Sequence, residues 1–494
     1  MIATNPLLER IDRFTGCTIL ILGDVMLDTY VYGQVERVSP EAPIPVLRID
    51  KKREMLGGAG NVARNVAALG ARAILIGVTG EDDAGRAIET QIAEADGARI
   101  DGRLVVDQGR PTTRKTRFVS GSQQLLRVDE EIARPLDGGP AEAVLTRFRA
   151  ALSESDIVVL SDYSKGVLSD AVLAPAIAAA RAAGKRIIAD PKSRDFSRYR
   201  LVDVLKPNRL EITQATGIDC RDDATTEQAG RAALATAEAG AVVVTRGAHG
   251  VSIIPKDGPA LHLPTLARAV FDVSGAGDTL VACLAVALAA GADLAEATAL
   301  ANAAAGIVVG KAGTECVSPV ELSQGLHLGA LIETDRKVTT LTGALDQAAR
   351  WRAAGLRVGF TNGCFDLIHP GHVRLLGQAR AACDRLIVGL NTDASVKRLK
   401  GPERPVQNEL ARATVMASIG AVDLVVLFGE DTPLEIIETL KPDVLIKGAD
   451  YRIDQVVGAD VVQSYGGKVI LAELEAGQST TGTIDRIREI DDRA

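Results

Sequence analysis

Aromatic side chains are scarce, with 1 Trp, 6 Tyr and 8 Phe making 3% of the 494 residues. A single-stranded nucleic-acid surface built on stacked rings is therefore a poor fit. Basic excess is also missing: 56 Lys+Arg against 64 Asp+Glu leaves a net charge of −8, which argues against a broad binder of phosphate backbones. The cysteines (Cys17, Cys220, Cys283, Cys316, Cys364, Cys383) contain no CxxC pair. That scatter suits reduced thiols rather than a disulfide framework. The most apolar run, Leu280 to Gly291, ends before Asp293 and is far shorter than the roughly 20 residues a membrane span needs. Glu9 and Asp12 interrupt the apolar stretch that a signal peptide would require. These absences predict a soluble cytoplasmic protein with no nucleic-acid or membrane partner.

What the chain has is 47% hydrophobic residues in a length that single cores rarely reach, since chains beyond about 250–300 residues split into domains. Short apolar runs (Thr18–Leu22, Ala73–Gly77, Ile157–Leu160, Arg186–Ala189, Val202–Leu205, Ala241–Thr245) alternate with Ala-rich helical stretches at 61–69, 171–183 and 227–239. Gly70, Gly184 and Gly240 close those helices. Strands apolar throughout are strands covered on both faces, so the pattern predicts an α/β fold with a mostly parallel sheet. Residues 28–50 and 103–129 instead alternate polar and apolar, reading as antiparallel ribbons of a lid. The rhythm lapses after about residue 325 and restarts at Leu356–Thr361, followed by Arg385–Leu390, Leu424–Phe428, Val444–Lys447 and Lys468–Leu471. The expected organisation is a first domain at 1–330, a helical linker at 331–355 and a second domain at 356–494.

Two segments carry phosphate chemistry. Phe271-Asp272-Val273-Ser274-Gly275-Ala276-Gly277-Asp278-Thr279 runs into an Ala-rich helix. Glycines at a helix start let backbone N–H groups converge on an anion, and the helix dipole adds positive character. Asp278 lies where a carboxylate can take a proton from an attacking hydroxyl. A plain glycine turn with Asp278 as a cap fits the same residues. Upstream, Gly57-Gly58-Ala59-Gly60-Asn61 opens a helix with Asn61 and Asn65 on one face, suited to a polyol. Gly58-x-Gly60-x-x-Ala63 also matches the loose dinucleotide fingerprint, but the charged run Asp50-Lys51-Lys52-Arg53-Glu54 precedes it rather than a buried strand.

The second segment is Thr361-Asn362-Gly363-Cys364-Phe365-Asp366-Leu367-Ile368-His369-Pro370-Gly371-His372, between an apolar strand and a helix. Only 5 histidines exist, and two fall here. Imidazoles beside a helix N-terminus can donate to a triphosphate and to charge building at its α-phosphorus. Asp366, His369 and His372 also have the residue types of a metal site, although Pro370-Gly371 breaks any continuous helical face. Cys364 reads as a buried thiol, since no orienting group for a nucleophile is evident.

Residues 10–325 resemble the ribokinase (PfkB-type) carbohydrate kinases, on Gly23-Asp24-x-x-x-Asp28, Gly57–Asn61, Lys206-Pro207-Asn208-Arg209-Leu210-Glu211 and Asp272–Thr279 in that order. The resemblance implies a three-layer kinase domain with a β lid. Asp278 would be the base, and Gly275, Ala276 and Gly277 an anion hole for the γ-phosphate. Asn208 and Glu211 would position Mg²⁺ and the ATP phosphates together with Arg209, Leu210 and the loop Thr245, Gly247, Gly250 (with His249 as turn or contact). Asp24, Asp28, Gly58, Asn61 and Asn65 would meet the sugar. Arg114, Lys115, Arg117, Lys165 and Lys192 supply cations for a sugar that already carries phosphate, or are solvated charges.

Residues 356–490 resemble the HxGH cytidylyltransferase-like nucleotidyltransferases, implying a Rossmann-like domain. Thr361, Asn362, Gly363, Phe365, Asn391, Asp393, Lys397, Arg412, Lys447, Ser479, Thr480 and Thr481 would bind nucleotide. Leu410 stands where relatives often carry an acid, with Glu409 beside it. Arg398 and Lys400 join Lys397 in a basic loop. The order kinase then transferase, with Arg37-Val38-Ser39-Pro40-Glu41-Ala42-Pro43 in the lid, resembles the bifunctional heptose enzymes of lipopolysaccharide precursor synthesis. That resemblance implies heptose 7-phosphate and heptose 1-phosphate as substrates, ATP in both steps, and a homodimer paired through the lid. The residues alone reach only phosphoryl plus nucleotidyl transfer. A kinase–cytidylyltransferase for another sugar or polyol phosphate fits them too.

Overall fold

The computed structural model describes residues 6–95, 99–121, 123–265, 271–311, 313–326, 337–448 and 452–473. It divides into two compact units, Met1–Leu326 and His327–Ala494. Among the described residues, no helix is long and apolar enough to cross a membrane.

In the first unit a nine-stranded sheet runs, edge to edge, Leu261–Leu263, Val251–Pro255, Ala241–Thr245, Val204–Leu205, Arg186–Asp190, Ile157–Ser161, Thr18–Gly23, Arg72–Ile76 and Ile100–Gly102. The last seven are parallel, and the first two add an antiparallel edge hairpin. Side chains alternate across the sheet, so Ile19, Ile21, Ile157 and Val159 enter one apolar cluster while Leu20, Leu22, Val158 and Leu160 enter the other. Helices Ala59–Ala68, Ala276–Ala289 and Leu294–Val308 cover the first face. Helices Gly138–Ala151, Asp170–Ala182 and Asp223–Ala237 cover the second, making three layers. The expected strand at 202–205 shortens to two residues, following Leu201 at φ 67°.

A separate four-stranded sheet orders Pro45–Gly58, Val25–Val38, Arg114–Ser120 and Gln123–Glu130. The outer pairs are antiparallel and the central pair parallel. Its strand 45–58 carries the charged run 50–54, whose side chains are exposed or half-buried; a ribbon open to solvent on both faces can hold such residues. The Gly57-Gly58 cluster therefore does follow a strand. That strand is antiparallel, so the βαβ context of a dinucleotide fold is absent there.

The second unit holds a parallel six-stranded sheet ordered Val338–Thr339, Leu424–Phe428, Arg385–Asn391, Val358–Gly363, Val444–Gly448 and Lys468–Ala472. Within the stretch expected as a linker, strand 338–339 joins the sheet edge, and helix Leu341–Ala353 buries Ala344 and Ala348 beside Phe360. The small alanines allow that close approach, and Leu341, Leu345 and Trp351 pack against the same cluster.

Topology positions both sites. Chain order reverses between Thr18–Gly23 and Ile157–Ser161 in the first unit, and between Val358–Gly363 and Val444–Gly448 in the second. Loops leave neighbouring strands in opposite directions at such a point, opening a crevice at the carboxyl ends. Phe148 is fully buried in the second-face cluster of the first unit. Phe148→Ala is expected to destabilise that unit by about 3–5 kcal/mol, read as a lower urea midpoint for loss of the first unit's structure.

Candidate active sites

Helix Ala276–Ala289 begins after Gly275, whose φ of 80° is left-handed. A Cβ at Gly275 would stand 2.5 Å from Thr314 Cγ2, so glycine is required for both conformation and space. The first-turn amides have no carbonyl within the helix to donate to, and the Ala276 N–H donates outside it to Val273 O at 3.3 Å. Asp278 Oδ2 accepts from Asn61 Nδ2 at 2.7 Å, and its Oδ1 accepts from the Tyr163 hydroxyl. Burial raises the Asp278 pKa, opposed by those hydrogen bonds and by Lys206.

Lys206 leaves the end of strand 204–205, is buried, and pairs with Asp190 Oδ1 at 2.9 Å. A methyl group placed on Gly277 would lie 3.7 Å from its Nζ, so the ammonium faces the helix start. Burial pushes Asp190 up to about 7, against the pull of Lys206. Asn65 sits one turn behind Asn61, donating to Asn61 O at 2.9 Å and accepting from the Thr279 hydroxyl at 2.8 Å. Its amide thus ties the two helices together. Asp24 is buried and accepts backbone N–H groups of Tyr163, Lys165 and Val167 at 2.9–3.0 Å, bracing the loop after strand 157–161.

At the lid base, Asp28 pairs with Arg117 at 2.6 Å, and the guanidinium lies 5.1 Å over Tyr30. Lys115 pairs with Asp129 and Glu131, and Lys165 with Glu131 at 2.7 Å. Gly58 has φ 56°, and a Cβ on Gly57 would strike the Asp28 carboxylate. Lys192 goes elsewhere: it holds Glu211 Oε1 at 2.8 Å. Asn208 and Glu211 form a reciprocal capping box on helix Arg209–Thr216, leaving Arg209 and Leu210 exposed. Asn208 bridges Thr245, and the loop to Gly250 turns through Gly247 at φ 59° and Gly250 at φ 80°. Tyr163, Asp190 and Lys206 received no role in the sequence reading. Position at a parallel-strand end is the signal that marks them.

In the second unit, strand 358–363 ends on half-buried Asn362 and Gly363, and Thr361 is buried. His369 is the N-cap residue of helix Pro370–Ala382. The His369 and His372 rings stack with centroids 3.8 Å apart, and Phe365 (φ 44°) meets His372 edge-on. The Nδ1 atoms of both histidines and Asn362 Oδ1 are buried without a protein partner, as atoms awaiting a ligand are. Burial lowers both imidazole pKa values, His372 to about 4 with help from its neighbour, so both are neutral near pH 7.

Asp366 is taken by Arg404 at 2.6 Å and by the N–H groups of Val406 and Gln407. With its carboxylate so engaged and the imidazoles stacked, the three do not surround a common point as metal ligands would. Arg412 is buried and holds Cys364 O, Gln407 O and Asp393 Oδ1, so it fixes the turn beneath the histidines. Glu409, rather than position 410, supplies the nearby acid by accepting from the Asp393 N–H. Asn391 bonds Ser395, Lys447 Nζ reaches Asn362 O at 3.3 Å, and Lys397 is exposed. Ser479, Thr480 and Thr481 lie outside the described residues.

Residues 18–320 match the pfkB family carbohydrate kinases and residues 360–479 match the cytidylyltransferase-like family. The chain is 58% identical over 478 residues to the bifunctional protein HldE of Caulobacter sp., covering 96% of each chain. Against its counterpart from Paramagnetospirillum magneticum it is 53% identical, covering 99% of each. Among solved structures, Escherichia coli phosphofructokinase-2 in complex with potassium aligns at TM-score 0.54 and 20% identity, over 64% of this chain and 99% of that one. Arabidopsis thaliana ribokinase complexed with ribose and ATP aligns at 0.50 and 22%, over 63% and 98%, and both share the kinase fold. With kinase and transferase halves both matched and relatives alike along nearly their full length, this chain belongs to the bifunctional HldE family.

Proposed function

We propose that the chain carries out two ATP-dependent steps of ADP-heptose synthesis. In the first, O1 of D-glycero-β-D-manno-heptose 7-phosphate gives its proton to Asp278 and attacks the γ-phosphorus of ATP. The bond to the β-phosphate oxygen breaks, leaving ADP and the 1,7-bisphosphate. After a separate phosphatase removes the 7-phosphate, a heptose 1-phosphate oxygen attacks the α-phosphorus of a second ATP in the other unit. Pyrophosphate leaves and ADP-heptose forms, with no covalent enzyme intermediate. The observation that carries this reading is the pair of helix N-termini at sheet switch points, one furnished with a buried carboxylate and one with two ligand-seeking imidazoles. Heptose as the sugar rests on the kinship with HldE.

The amides of Gly275, Ala276 and Gly277, with Lys206 facing them, meet charge on the phosphoryl group in flight. Asn208 and Glu211 are oxygen donors suited to Mg²⁺, and together with the ATP phosphates they would hold it. That ion neutralises phosphate charge. Lys192, drawn to Glu211, belongs to this phosphate end rather than to the sugar. Gly58, Asn61 and Asp28 face the sugar, and Lys115, Arg117 and Lys165 supply the cations for its phosphate. Asp24 and Asn65 position that wall. Thr245, Gly247, Gly250, Arg209 and Leu210 border the nucleotide. In the second unit the neutral histidines donate N–H groups to the triphosphate, beside Asn362, Gly363, Phe365 and Lys447. Asn391, Asp393, Arg412 and Thr361 shape the pocket floor, and Lys397, Ser479, Thr480 and Thr481 complete the phosphate contacts. The protein works in the cytoplasm as a homodimer joined through the lid.

Asp278→Asn is expected to cut sugar phosphorylation by about 10³-fold and spare adenylyl transfer. His369→Ala should cut adenylyl transfer by about 10²-fold and spare the kinase. Mass spectrometry of products from heptose phosphates with ATP reads both; loss of both activities in either variant contradicts separate sites. The imidazole pKa values give a further check. Desolvation depresses both below the unfolded value, so stability is full above about pH 6.5. It falls as pH drops toward 4, where His372 takes its proton. An NMR titration should show the His372 ring still neutral at pH 5.5.

A further inference from the structure

A general base in a dry site faces two opposed demands. Burial makes Asp278 a stronger base, yet it also favours the protonated form, which can accept nothing from the sugar. The groups facing this carboxyl come from several elements. Asn61 on helix 59–68 and Tyr163 from the loop after strand 157–161 bond its two oxygens. Lys206, at the end of strand 204–205, pulls its pKa down, and Asp28 of the lid pushes it up. Asp190 pairs with Lys206 and bears on Tyr163. Of the two hydrogen-bond donors only Tyr163 brings a phenol, and it is held from behind: its own N–H donates to the buried Asp24, while Asp162 Oδ1 accepts the N–H of Ser164, which sits at φ 56°. The loop therefore aims this hydroxyl.

We propose that Tyr163 is the positioning residue of the kinase base: its hydroxyl, aimed by Asp24, fixes the rotation of the Asp278 carboxyl and holds it ionised for the sugar hydroxyl. Burial and the Asp278 charge push the Tyr163 pKa well up, so the phenol keeps its proton and acts only as donor in this pair. A neutral donor to a carboxylate stabilises the ionised form, and losing it raises the acid's pKa. This inference rests on Asp278 being the base.

The test is the pH dependence of kcat for sugar phosphorylation. Tyr163→Phe should move the acidic limb up by about one pH unit, with most of the wild-type rate regained on the alkaline plateau. Site-specific 3-fluorotyrosine, a stronger donor of nearly the same shape, should move the limb down. Equal loss at every pH for Tyr163→Phe, with 3-fluorotyrosine unchanged from wild type, would overturn the proposal and leave Tyr163 a packing residue. If Asp278→Asn kept full kinase activity, the base assignment itself would fail, whichever way the limb moved.

Discussion

A nucleotide's phosphates arrive with several negative charges and must be met by donors that the fold has already oriented. A parallel sheet supplies them cheaply in sequence terms, because every strand ends at the same edge and every following helix begins there with unbonded amides. In the first unit that edge gathers Asp24, Tyr163, Asp190, Lys206, Thr245 and, through helix 276–289, Asp278. In the second it gathers Asn362, the histidine pair and Lys447. Chain order reverses beside Thr18–Gly23 in one sheet and beside Val358–Gly363 in the other, where loops diverge. Both active sites follow from this single geometric condition.

Burial then acts on the two sites in opposite ways. Around Asp278 it raises a carboxyl pKa, against which Tyr163, Asn61 and Lys206 favour the ionised form. Around His369 and His372 it lowers imidazole pKa values, leaving neutral rings whose Nδ1 atoms are buried without a protein partner. On the proposed roles, the same desolvation would serve proton abstraction in one unit and charge stabilisation in the other. The Lys206–Asp190 pair shows a third outcome, a cation held in the interior by a partner carboxyl near its own titration point.

Much of this was legible in the chain. Strands such as Thr18–Gly23 are apolar from Ile19 to Leu22 because both faces are covered there, and glycines mark the helix ends beside them. Asp278 and the His369–His372 pair were visible because their residue types and spacing have few structural uses. Lys206, Asp190 and Tyr163 were not, since their meeting depends on strand order rather than on any local pattern. Asp24 and Arg412 illustrate the same limit. Each was expected as a ligand contact, and each is buried with hydrogen bonds to the backbone of a neighbouring loop. The helix 341–353 was expected as a linker because its fully buried residues are only the small Ala344 and Ala348, while Leu341, Leu345 and Trp351 pack half-buried against the same cluster.

The claim on which everything rests is that each unit presents its own helix N-terminus to its own nucleotide. Calorimetric titration with a non-hydrolysable ATP analogue, on the full chain with Mg²⁺, tests it most directly. Two molecules should bind per chain. Gly277→Val, which keeps a helical backbone but fills the space before the amides, should remove one of them, and His372→Ala should weaken only the other. A stoichiometry of one per chain, or loss of both binding events through either substitution, would contradict the account.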